Sequence, residues 1–135
     1  MKTELKIILS LAVFAAFTFL IAASSVPQEK WDVPAEYKNM KNKYAGEDED
    51  EIGEELYSKH CKSCHGKEGY GDGTKSKELK TAMRDFSGEE VQSQTDGALY
   101  YKSFIGRDEM PNFEKKIGDD EDRWMVVNYL RSLAE

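Results

Sequence analysis

Three of the chain's four cysteine and histidine side chains fall within five residues, Cys61-Lys62-Ser63-Cys64-His65; the fourth, His60, lies just before them. Four readings compete for such a cluster. A redox dithiol of the thioredoxin type needs a strand feeding a helix, and no strand pattern precedes Cys61. Structural zinc needs four ligands closing a tetrahedron; His60, Cys61, Cys64 and His65 are too crowded to close one, and no distant Cys or His exists to complete it. A disulfide would close a very small ring. The fourth reading is covalent haem attachment, the C-x-x-C-H pattern. Two thiols separated by two residues reach the two vinyl groups on one porphyrin edge, and the following His65 turns its imidazole toward the iron. The spacing favours the haem.

The rest of the chain suits a large apolar cofactor. At 135 residues it is one domain in length, and 39% hydrophobic residues argue against disorder. The expected helices are short and the loops between them long. Residues 52 to 61 carry Ile52, Leu56 and His60 at helical spacing, although Gly53 lowers the propensity and points to a close approach by another element. Gly66, Gly69, Gly71 and Gly73 mark a loop, and residues 75 to 81 suit a short helical turn. A second helix is expected from Asp96 to Phe104, capped by Thr95 or Asp96 and stopped by Gly106. After a loop pinned by Pro111, Asp119 caps a last helix on which Trp124, Val127, Leu130 and Leu133 follow the 3.6-residue period. The expectation is an all-α domain of three to four short helices. Without something apolar to wrap, such helices enclose too little core.

Upstream, Lys2 and Lys6 precede an apolar run from Ile7 to Ala23 in which only Ser10 and Thr18 are polar, and small residues follow to Ser25. That order predicts an export signal over 1–24, or an uncleaved membrane anchor, with the rest of the chain outside the cytoplasmic membrane. Residues 25–50 are expected to form a polar, acidic arm or linker whose aromatics, Trp31, Tyr37 and Tyr44, pack on the domain at 51–135. The run Glu47–Glu51 reads as solvated chain that also puts negative charge ahead of a helix start. The formal charge of −7 excludes a general nucleic-acid binder, which needs a basic surface; it suits steering toward a basic patch on a partner.

An iron ligand on the other haem face has to come from elsewhere. His60 adjoins the attachment site and cannot cross over. Met40 belongs to the arm, and Met125 to the last helix, where core filling is its expected role. Met110 stands in the loop after Gly106, immediately before the rigid Pro111, and is the first choice; Met83 is the second.

Taken in order, these pieces resemble a class I c-type cytochrome, the small exported single-haem electron carriers. The matching segments are Gly53-x-x-x-Tyr57, Cys61-x-x-Cys64-His65-Gly66, Gly69-Tyr70-Gly71-Asp72-Gly73, Asp96-Gly97-x-Leu99 with Gly106-Arg107-x-x-Met110-Pro111-x-Phe113, and Trp124 through Leu133. The resemblance implies a cytochrome c fold and one haem c attached through Cys61 and Cys64. It also implies an iron held by His65 and Met110, and a backbone carbonyl orienting the His65 imidazole. First and last helices would cross with Gly53 and Tyr57 against Tyr129 and Leu130. The implied function is one-electron transfer between redox protein donors and acceptors outside the cytoplasmic membrane, without enzymatic chemistry. Two alternatives stand beside it: a haem-bearing subunit of a larger membrane oxidoreductase complex, and a high-spin haem sensor or enzyme if Met110 does not ligate.

Overall fold

The computed structural model describes residues 30–47 and 51–135. The expected leader over 1–24 and the middle of the acidic run, Asp48–Asp50, lie outside them. Among the described residues there are six α-helices and no strand: α1 (Ala35–Lys38), α2 (Ile52–His60), α3 (Lys62–His65), α4 (Glu89–Gln92), α5 (Asp96–Ile105) and α6 (Asp120–Ser132), with a 3₁₀ turn at Ser76–Glu78. The all-α expectation holds. None of these helices is long and apolar enough to cross a membrane.

Local chemistry sets the ends of the two longest helices. Thr95 caps α5 by accepting the Ala98 amide, and Gly106 stops it at φ 73°. Asp119 caps α6 by accepting the Glu121 amide at 2.8 Å. From α6, Trp124, Val127 and Leu130 enter the core as the helical period predicts, joined by Met125 and Val126. Leu99, Tyr100 and Phe104 of α5 meet them there. Each large side chain so buried contributes about 1.5–3 kcal/mol against exposure.

α2 crosses α6, and Tyr57 meets Tyr129 with ring centroids 5.0 Å apart. Gly53 is buried, in keeping with the close approach its position suggests. The C-terminal end of α6 is fastened to the α4–α5 corner through Arg131. Its guanidinium donates to Asp96 Oδ1 at 2.7 and 2.8 Å, to the Gln92 carbonyl at 2.8 Å and to the Gln94 carbonyl at 2.5 Å.

The described part of the arm is no free tether. Residues Trp31–Glu135 make one compact unit. Val33 is buried, Tyr37 packs on Tyr101 at 4.7 Å, and Trp31 lies against the Arg107 guanidinium at 4.8 Å. Gly97 explains how closely the arm sits: a Cβ there would collide with the Tyr37 carbonyl and come within 3.0 Å of Met40 Cβ. Asn128 of α6 then holds the arm's far end by donating to the Tyr44 and Glu47 carbonyls, both at 2.6 Å.

Candidate haem site

Cys61 ends α2, and the chain re-enters helix as α3, which carries Cys64 and His65. The segment after it returns along α3 through bends and a turn. Gly71, Gly73 and Lys75 donate their amides to the carbonyls of His65 (2.8 Å), Cys64 (3.2 Å) and Ser63 (2.8 Å). Gly73 has to be glycine, because a Cβ there would lie 2.5 Å from Cys64 carbon and Ser63 oxygen. The backbone of the motif is thus held on its own loop, and its side chains are left for other partners.

Those side chains are in the right chemical state for a haem. Both cysteines are free thiols. Burial, with the neighbouring Cys64, pushes the Cys61 thiol up to about 12, so it stays protonated. Burial pushes the His65 imidazole down to about 4, which keeps it neutral at physiological pH and its lone pair available to a metal. Its Nδ1 is buried with no hydrogen-bond partner. Buried polar atoms are rarely left this way without a missing partner to explain it.

One implication of the resemblance needs correction here. No backbone carbonyl reaches His65 Nδ1. The ring is oriented instead by Phe86, stacked on it at 4.5 Å with planes 24° apart. The Phe86 amide donates to the Gly69 carbonyl at 2.8 Å, while Gln92 Nε2 donates to the Phe86 carbonyl at 2.6 Å and to the Leu130 carbonyl at 2.8 Å. Stacking fixes the plane of the ring and leaves Nδ1 as the atom without a partner. The sequence holds no signal for it beyond an aromatic 21 residues from the histidine.

The methionines separate by environment. Met125 is buried in the α6 core and Met40 packs beside Gly97, so both serve the interior. Met83 lies against Gly71, where a Cβ would come 2.7 Å from Met83 Cβ; it therefore belongs to the same loop layer that binds the His65 carbonyl. Met110 stands apart, closing a tight turn with Arg107 through reciprocal amide–carbonyl bonds of 2.9 Å. Asp108 turns the corner at φ 54°, and a Cβ on Gly106 would collide with the Met110 and Pro111 carbonyls. Beyond the turn, the Phe113 amide returns to the Phe104 carbonyl at 2.9 Å and the Phe113 ring meets His60 edge-on at 5.9 Å.

Nothing in the sequence singles out Glu109. Its carboxylate accepts the Lys80 amide at 2.9 and 3.1 Å and the Thr81 amide at 2.8 Å. Those amides, Lys80 first, hold it below the usual carboxylate range.

An all-α chain built around C-x-x-C-H, with a half-buried neutral histidine beside two free thiols, is a c-type cytochrome domain. Its cofactor is a covalently bound haem c with iron, and its work is haem-based electron transfer. Residues 48–130 match the family described as cytochrome c oxidase, cbb3-type, subunit III, and the chain belongs to that family. No curated protein matches it.

Proposed function

We propose that the protein is a one-electron carrier whose haem is bound through Cys61 and Cys64 and whose iron is held by His65 and Met110. The observation that carries this is the half-buried, neutral His65 with a buried, unpartnered Nδ1, directly after two free thiols. When bound, the haem iron supplies a reversible one-electron couple. The chain's residues do the rest. Phe86 fixes the plane of the imidazole. The turn at Arg107–Met110 presents a soft, neutral thioether from a backbone that has little freedom to withdraw it.

With His65 and Met110 both holding the iron, no site would be left there for a substrate, and on this reading the protein is not an enzyme. It works outside the cytoplasmic membrane, in the periplasm, either soluble or tethered at the outer face, between a redox protein donor and an acceptor. A second reading is favoured by the family itself: the chain as a haem-bearing subunit of a membrane oxidase complex. Both readings use the same electron-transfer step.

The test is a visible and near-infrared spectrum of the purified, exported protein, oxidised and reduced. Sharp reduced c-type bands with the weak near-infrared band of methionine-to-ferric-iron ligation are expected. Replacing Met110 abolishes that band and replacing Met83 leaves it. A high-spin spectrum that shifts with carbon monoxide overturns the carrier reading in favour of the sensor or enzyme alternative. Absence of covalent haem overturns all of them. Purification as part of a multisubunit oxidase favours the subunit reading.

A further inference from the structure

We infer that Glu109 is the positioning residue for Met110, a clasp that fastens the methionine turn to the loop continuing from the haem-attachment motif. The inference rests on the reading of Met110 as an iron ligand. Two separate stretches of chain meet at this carboxylate. One begins at His65 and is tied to the motif by the amides of Gly71, Gly73 and Lys75, then runs through the 3₁₀ turn to Lys80 and Thr81. The other is the four-residue turn Arg107–Met110, closed by its two reciprocal bonds. Within the turn those bonds fix the shape, but they do not fix where it sits relative to the motif. Glu109 does: both its oxygens accept the Lys80 amide and Oε2 also accepts the Thr81 amide.

The arrangement has a functional reason. A thioether is a weak, neutral ligand, and its hold on ferric iron depends on the protein keeping the sulfur in place rather than on the strength of the bond alone. Three contacts from a carboxylate to backbone amides are charge-assisted and directional, and amides cannot swing away as side-chain donors do. Removing the clasp leaves the turn intact and lets it move as a unit. The consequence is faster loss of the methionine to any competing ligand.

The experiment uses the ferric holoprotein with cyanide as the competing ligand, comparing Glu109→Ala and Glu109→Gln with wild type. Alanine removes every contact; glutamine keeps an acceptor oxygen for the amides and loses the charge. Cyanide should bind Glu109→Ala several-fold faster, on the order of three to ten times, with Glu109→Gln between it and wild type. Amide hydrogen exchange at Lys80 and Thr81 should quicken in the alanine variant. Asn128→Ala, which releases the arm's far end from α6, should leave the cyanide rate unchanged; a rise matching that of Glu109→Ala makes the effect one of global stability and overturns the clasp. If Glu109→Ala does not fold, Glu109→Gln carries the test alone. A cyanide rate equal to wild type in the variants, with the near-infrared band present, overturns the clasp and spares the ligand reading. A wild-type protein without that band overturns the ligand reading and the clasp's purpose together.

Discussion

The Tyr57 hydroxyl donates a 2.8 Å hydrogen bond to the carbonyl of Gly66, the residue that follows the candidate iron ligand. Tyr57 is 1% exposed, and its ring also packs on Tyr129 of α6. One side chain therefore joins the crossing of α2 and α6 to the end of the attachment motif. Tyr57→Phe keeps the ring contact and leaves the Gly66 carbonyl without its donor. The expected cost is about 1–2 kcal/mol, read as a lowered denaturant midpoint with an unchanged slope.

Gly97→Ala tests the docking of the arm. The new methyl collides with the Tyr37 carbonyl, backbone that cannot rotate aside. Overpacking of this kind costs about 1–3 kcal/mol, and here it falls on the arm's contact with α5. Trypsin should cut at Lys38, Lys41 and Lys43 about tenfold faster or more, while the haem spectrum is retained. Equal cleavage of the variant and wild type would show that the arm is held elsewhere.

Arg131→Ala removes four hydrogen bonds that tie α6 to Asp96 and to the carbonyls of Gln92 and Gln94. A loss of about 2 kcal/mol is expected, moderated by the partial exposure of the pair. Arg131→Lys should recover only part of it, since an ammonium cannot span three acceptors in the guanidinium's plane. Chemical denaturation of the three proteins decides it.

His60 gives the pH prediction. Burial first, then Lys59 and Lys116, lowers its folded pKa below the ordinary 6.5. The unfolded chain then takes up the proton more readily than the folded one, so stability falls as pH drops below about 6.5, and the loss ends once the folded histidine is protonated too. Above that window the group contributes no slope. His60→Gln should lessen the slope of melting temperature against pH in this range without removing it, because burial lowers His65 over the same range; an unchanged profile would assign the acid sensitivity wholly to other groups.

Features carried by neighbouring residues are legible in the amino-acid sequence alone. Asp119 with Trp124, Val127 and Leu130 announces α6, and Thr95 with Gly106 bounds α5, because caps and helical period act over a few residues. The crowding of Cys61, Cys64 and His65 needs no fold to bring them together. What stays hidden is made by contacts across the chain. α4 is four residues long and carries no periodic signal. That the arm's aromatics pack on the domain is legible from their presence, but where Tyr37 docks depends on Gly97, sixty residues on. Phe86 over His65 and Glu109 on Lys80 and Thr81 are of the same kind: an aromatic and an acid with nothing local to mark them.

The loop that runs back along the attachment motif uses every second residue, 71, 73 and 75, to serve three successive carbonyls, 65, 64 and 63. Gly71 stands at φ 78° and Lys75 lies in a turn, so each of the three amides is aimed by its own backbone conformation. A residue added between Gly71 and Lys75 would break that series of bonds, and a side chain brought to the place of Gly73 would strike the Cys64 carbonyl, where even a methyl has no room. The length of this loop is therefore as much a part of the motif as the cysteines.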